Sequence, residues 1–132
     1  MALMLVAACG GTTGGGGTPA KQYKIGLVTD VGGLNDKSFN HLAYVGLQKA
    51  IQDFKVKGDV TESSSGDAYV PNLTNFASKG YDLVIGVGFL MQEAIGTVSG
   101  QFPNVHFAII DGAGTDANGN DLKRANVESL LF

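Results

Sequence analysis

Ile25-Gly26-Leu27-Val28-Thr29-Asp30-Val31-Gly32-Gly33-Leu34-Asn35-Asp36-Lys37-Ser38-Phe39-Asn40 carries more of the architecture than any other stretch of the chain. An apolar run of this length, ended by a glycine pair, reads as a strand covered on both faces, the pattern of a parallel sheet. Asn35, Asp36 and Ser38 are all N-cap residue types, so a helix starts among them. A strand that gives way to a glycine turn and a helix mouth is where an open α/β sheet holds its ligand, at the carboxyl end of the strand. Phe39 and Asn40 then fall on the first helical turn, beside Asp30 at the strand end. An aromatic ring next to two hydrogen-bonding side chains suits a flat ligand with polar edges.

The same unit repeats downstream. Lys24 to Asp30 is the first strand, and Ser38 to Phe54 the first helix, with Phe39, Leu42, Ala43, Leu47, Ala50, Ile51 and Phe54 at helical spacing. Asp59 to Ser63 is a weak second strand, followed by a loop and a helix over Tyr69 to Ser78 that turns Leu73, Phe76 and Ala77 inward and stops at Gly80. Asp82 to Gly88 is a strong third strand, Met91 to Ser99 a third helix, and His106 to Asp111 a fourth strand. After a turn-rich loop from Gly112 to Asp121, Ala125 to Phe132 reads as a fifth strand. Strands alternating with helices of this length imply right-handed βαβ units. The expected fold is α/β, a three-layer sandwich around a parallel sheet of order 2-1-3-4-5. The sequence stops within the apolar run Leu130-Leu131-Phe132, and the expectation is a truncated domain.

The 132 residues suffice for one domain with a true core. Net charge is only −3, and Lys and Arg are scattered singly, so the chain has no basic stripe for a nucleic acid. The single cysteine, Cys9, rules out an internal disulfide and a multi-cysteine metal site. It follows the apolar run Met1 to Ala8 and precedes a glycine- and threonine-rich tract of linker composition. Val6-Ala7-Ala8-Cys9 resembles the lipobox of bacterial lipoproteins, in which Cys9 would carry the diacylglycerol. The run lacks the positive charge that opens an ordinary signal peptide and is too short to span a bilayer. The expected division is a lipoprotein signal remnant over 1–9, a tether over 10–23 and the domain over 24–132.

Three strand ends converge on one edge of such a sheet. The first brings Asp30 with Phe39 and Asn40, the third brings Gly86, Gly88 and Phe89, and the fourth brings Asp111 before Gly112-Ala113-Gly114. The first and third strands flank the topological switch point, the usual ligand crevice. A phosphate fits badly there: neither a G-x-G-x-x-G nor a P-loop lysine is present, and Asp30 and Asp36 would repel it. Enzyme signatures are weak. Ser38 follows no nucleophile-elbow pattern, and the only histidines, His41 and His106, are far apart in sequence. No metal or cofactor is expected.

Val28-Thr29-Asp30, Gly32-Gly33, Asn35 to Asn40, Gly46-Leu47, Gly86-Val87-Gly88-Phe89 and Phe107 to Asp111 together resemble the basic membrane lipoprotein family. These are PnrA-like substrate-binding proteins of ABC transporters that capture purine and other nucleosides. The resemblance runs from Lys24 to Phe132. It implies a type I periplasmic-binding-protein fold of two lobes, this chain corresponding to the N-terminal one and the second lying beyond Phe132. By the same resemblance Phe39 stacks on the base, while Asp30, Asn40 and Asp111 hydrogen-bond the nucleoside, with Phe89 a further ligand-binding candidate. The implied partners are a nucleoside, a transporter permease and, through a lipid on Cys9, the extracytoplasmic side of the cell membrane. No chemistry on the ligand is implied. A single lobe lacks the second stacking face and hinge closure, so weak binding is expected of this chain alone. The rival readings are a flavodoxin-like enzyme or receiver-type domain using Asp30 and Asp111, and a sugar-binding protein of the same fold.

Overall fold

The structure, a computed structural model, describes residues 21–132; the lipobox at Cys9 and most of the tether lie outside those residues. The elements follow in the order β1 (Lys24–Thr29), α1 (Phe39–Phe54), β2 (Lys57–Glu62), α2 (Tyr69–Ser78), β3 (Leu83–Val87), α3 (Gln92–Gln101), β4 (His106–Ile110) and β5 (Val127–Leu130). All five strands are parallel, in the order β2-β1-β3-β4-β5. This is the expected three-layer arrangement. Right-handed crossovers place α1 on one face of the sheet and α2 and α3 on the other.

The strand alternation sorts the core. Val28, Val84, Phe107 and Ile109 pack against Leu73 and Phe76 of α2 and Ile95 and Val98 of α3. On the opposite face, Leu27 and Val87 pack against Leu47 of α1. Two glycines let helix side chains lie directly on the sheet. A Cβ at Gly26 would strike the Phe76 ring, and one at Gly58 would come within 2.7 Å of both Ile51 and Leu47. β3 and β5 start one and two residues later than expected, at Leu83 and Val127, and Gly58 explains why β2 starts two residues earlier. A glycine reads as a turn, so β2 was expected from Asp59, yet it begins at Lys57, paired with Lys24. β5 is correspondingly shorter than the apolar run, ending at Leu130, and Leu131 and Phe132 are exposed.

α1 departs from its sequence pattern on its outer side. Leu47 is buried, but Leu42 is 66% exposed and Phe54 76%. Helical spacing identified an apolar face wider than the one that β1 and β2 cover. At the base of the sheet, Lys21 pairs with Asp82, and the Gln22 side-chain amide donates to the Lys55 carbonyl at 2.9 Å. The residues just before β1 are thus held against the domain.

Candidate ligand-binding site

β1, β3 and β4 end level with one another, and the ladder continues one residue past them. Gly88 N–H donates to the Ile110 carbonyl and Asp111 N–H to that of Leu130, both at 2.8 Å. Asp30, Gly88 and Asp111 therefore form a row along the carboxyl edge. Gly88 has φ of +96°, a backbone region open in practice to glycine alone, and a Cβ there would sit 2.6 Å from Asp30 Oδ2. The missing side chain is what allows the Asp30 carboxylate to lie over the end of β3. Asp111 takes the left-handed conformation too, φ +61°, which an aspartate tolerates better than most residues.

The Asp30 carboxylate is held from one side only. Oδ1 accepts from Gly32 N–H at 2.8 Å and from Asn40 Nδ2 at 2.7 Å. Oδ2 has no hydrogen-bond partner among the described residues. Asn40, 2% exposed, spends its amide on Asp30, and its own Oδ1 is buried without a partner. A buried acceptor left unpaired costs roughly 1–3 kcal/mol, so this atom calls for a donor.

The loop between β1 and α1 is tied down by two further carboxylates. Asp36 accepts from the N–H groups of Ser38, Asn40 and His41 at 2.9–3.0 Å. Desolvation raises the Asp36 carboxyl, but these three donors outweigh it and hold the group below the usual carboxylate value. Of the three N-cap candidates, Asp36 does the capping; Ser38 occupies the N-cap position with no side-chain bond of its own. The second tie is Glu62, at the end of β2, whose Oε2 accepts from Leu34 N–H at 2.9 Å. Nothing local in the sequence signals this contact across 28 residues. Gln92 is another residue that the sequence left unmarked. Its side chain accepts from Ala113 N–H and its backbone carbonyl from Thr115 N–H, fixing the loop after β4.

Phe39 starts α1 and is 45% exposed, while Phe89, in a single 3₁₀ turn before α3, is 60% exposed. The edge thus combines Asp30, with one unpaired carboxylate oxygen, and Asp111; Phe89 is exposed just past the end of β3, while Phe39 lines an apolar groove along α1 with Leu42, Ala43 and Gly46. Asn40 sits beneath Asp30 instead of on the surface. No group of three or more His, Cys, Asp or Glu that could hold a metal exists among the described residues. Such an arrangement accepts hydrogen bonds from an uncharged ligand and stacks on its flat face. It does not suit a phosphate.

Residues 24–132 match the family model for the ABC transporter substrate-binding protein PnrA-like family. An uncharacterized lipoprotein of Pyrococcus abyssi is 38% identical over 84% of this chain and 28% of its own length. The ABC transporter nucleoside-binding protein BmpA of Lactococcus lactis is 31% identical over 91% of this chain and 33% of its own. Among solved structures, an ABC transporter solute-binding protein of Aeropyrum pernix superposes with a TM-score of 0.73 and 32% identity, over 83% of this chain and 28% of that one. The chain thus spans about a third or less of the length of these relatives. With its fold and most of its residues matched in this way, the chain belongs to the Bmp family of PnrA-like ABC transporter substrate-binding proteins.

Proposed function

We propose that this chain is the nucleoside-contacting N-terminal part of an extracytoplasmic solute-binding lipoprotein, anchored through Cys9, that delivers a nucleoside to an ABC importer. The observation that carries the reading is the one-sided satisfaction of Asp30, whose Oδ2 is left to accept a ligand N–H or O–H, with Phe39 exposed at the start of α1. A nucleobase supplies both a ring for Phe39 and polar hydrogens for Asp30. Base stacking on an aromatic side chain is worth about 1–3 kcal/mol. Asp111 and Phe89 extend the contact along the edge, and Asn40 steadies Asp30 from beneath. The name of the Lactococcus lactis relative supports nucleosides as the substrate class. A purine fits the stacking face best because its fused rings are larger.

The test is backbone amide NMR of the chain titrated with guanosine, adenosine, uridine and glucose. Nucleosides should shift the amides of residues 30–33, 39–40, 88–89 and 111–114, weakly, and Asp30→Ala and Phe39→Ala should each abolish the response. A response to glucose alone would replace the reading by a sugar-binding one. Shifts confined to other surfaces would refute it. Sub-micromolar affinity in calorimetry would overturn the expectation that one lobe binds weakly.

A further inference from the structure

The lysines that stand singly in the sequence are gathered by the fold. Lys24 and Lys57 open β1 and β2 side by side, Lys55 and Lys79 follow the carboxyl ends of α1 and α2, and Lys21 precedes β1. Hydrogen bonds hold these positions together at the base of the sheet. Lys57 N–H donates to the Tyr23 carbonyl at 2.8 Å, Gln22 to the Lys55 carbonyl and Lys24 Nζ to the Lys79 carbonyl, both at 2.9 Å. Five of the eight lysines in the chain thus share one edge. Asp82 answers Lys21, and Asp59 answers Lys57 at 3.5 Å, while Asp53 is taken by Lys49. Among the described residues, no carboxylate lies within ion-pair distance of the Lys24, Lys55 or Lys79 ammonium groups. Tyr23 is 57% exposed beside them, with Lys21 Nζ 5.1 Å from its ring centroid. The opposite edge carries Asp30, Asp36, Glu62 and Asp111.

We propose that this lysine-bearing base rests on the anionic phospholipid headgroups of a membrane and keeps the carboxyl edge turned toward solution. The choice of a membrane as the occupant rests on the anchored reading of Cys9 given above. Lys21 lies twelve residues after Cys9, so the base stands no farther than about 40 Å from an acyl chain on that cysteine. The base is therefore the edge that an anchor brings to the membrane. Exposed lysines suit that place, since their stems lie along the protein while the ammonium groups reach the headgroups, and a tyrosine is at home at the same level. Each lysine close to an anionic surface strengthens binding about fivefold. With a net charge of −3 the chain as a whole is repelled by such a surface, and only its base is attracted. The six residues of β1 set the two edges about 20 Å apart. That exceeds the screening length of about 10 Å at ordinary salt, so the acidic edge, when it points away, scarcely weakens the contact made by the base. The attraction thus orients the domain as it holds it.

The experiment sediments the full, unacylated chain with vesicles of phosphatidylcholine or of an equal mixture with phosphatidylglycerol. At low salt the partition onto the mixed vesicles should exceed that onto phosphatidylcholine about a hundredfold, and molar salt should remove the difference. Lys55→Gln with Lys79→Gln should lower it about 25-fold, whereas Lys37→Gln with Lys123→Gln, an equal change in net charge, should lower it less than about twofold. Lys55→Arg with Lys79→Arg should keep the parent value. For the anchored state, Cys9 is coupled to a maleimide-headgroup lipid in nanodiscs of both compositions that also carry a gadolinium-chelate lipid. The amides of Tyr23, Lys24, Lys57 and Tyr81 should broaden more in the anionic discs than in phosphatidylcholine discs, and those of Gly32, Gly88 and Gly112 should not. Because this coupling is chemical, the result is independent of natural acylation at Cys9, which mass spectrometry of the membrane-extracted protein decides separately. Equal partition onto the two vesicle types, or equal losses in the two glutamine pairs, would overturn the proposal. So would broadening at the carboxyl edge, or a DNA duplex that strips the chain from the vesicles at equal phosphate concentration, which would assign the face to nucleic acid.

Discussion

Gly96 and Gly46 are both helix-interior glycines, and the same substitution should move stability in opposite directions. Gly→Ala in an open helix position gains about 0.5–1 kcal/mol, because alanine lowers the entropy of the unfolded chain and better supports the helix. Gly46, with empty space around its Cα, should show this gain. Gly96 lies in α3 where the loop after β4 crosses it. A Cβ there would overlap the Thr115 carbonyl oxygen and come to 2.8 Å from its carbon and 3.0 Å from its nitrogen. All three are backbone atoms, so no rotamer change relieves the clash. The loop has to move away from α3, stretching the Thr115 N–H to Gln92 carbonyl bond of 3.0 Å and the Arg124 Nε to Gly96 carbonyl bond of 3.1 Å. Two net hydrogen bonds at about 1 kcal/mol each, with about 1–3 kcal/mol for overpacking, outweigh the helix gain and leave Gly96→Ala destabilised by about 2–4 kcal/mol. Urea unfolding followed by circular dichroism measures both variants. A Gly96→Ala protein as stable as Gly46→Ala would refute the close approach of the loop to α3, and with it the placement of Asp111 on the site.

Four other outcomes follow from the geometry. Gly88→Ala should cost about 1–3 kcal/mol in backbone strain and push Asp30 off the edge, so that nucleoside-dependent amide shifts vanish while the sheet persists; retained shifts would remove Gly88 from the site. Asp36→Ala should destabilise the start of α1 by about 1–2 kcal/mol. Because Asp36 titrates below its ordinary value when folded, its contribution is complete above that value and is lost as pH falls through the folded pKa, so the amide-exchange protection factors at Asn40 and His41 should fall in acid in the parent and not in the variant. Burial and the hydrogen bond to Asp59 push the Tyr81 hydroxyl up to about 12. Its stabilisation is therefore whole below the free phenol value of about 10 and lost as pH rises from there through about 12, and the gap in melting temperature between parent and Tyr81→Phe should close over that window. Lys55 ends α1 in the left-handed conformation, φ +56°, so Lys55→Gly should stabilise by about 1 kcal/mol in the same urea assay.

The βαβ alternation, the strand order and the convergence of Asp30, Gly88 and Asp111 were legible because each rests on short-range rules: apolar runs, caps, glycine stops and the handedness of crossovers. Phe39, taken alone, reads as a core residue at helical spacing, and only the assembled structure shows that 45% of it stays exposed. Which N-cap candidate caps α1 was also open. The answer, Asp36, depends on how the loop bends back to bring one carboxylate within reach of three amides.

Glu62 and Gln92 had no local signal, because their partners lie 28 and 21 residues away and only the pairing of β2 with β1 and the crossing of the last loop over α3 bring them close. The same holds for the burial of Asn40 under Asp30 and for the uncovered flank of α1. Periodicity in one chain segment can specify that a side is apolar. Whether a neighbour lies against that side depends on contacts between segments distant in sequence, and these exist only once the sheet has assembled.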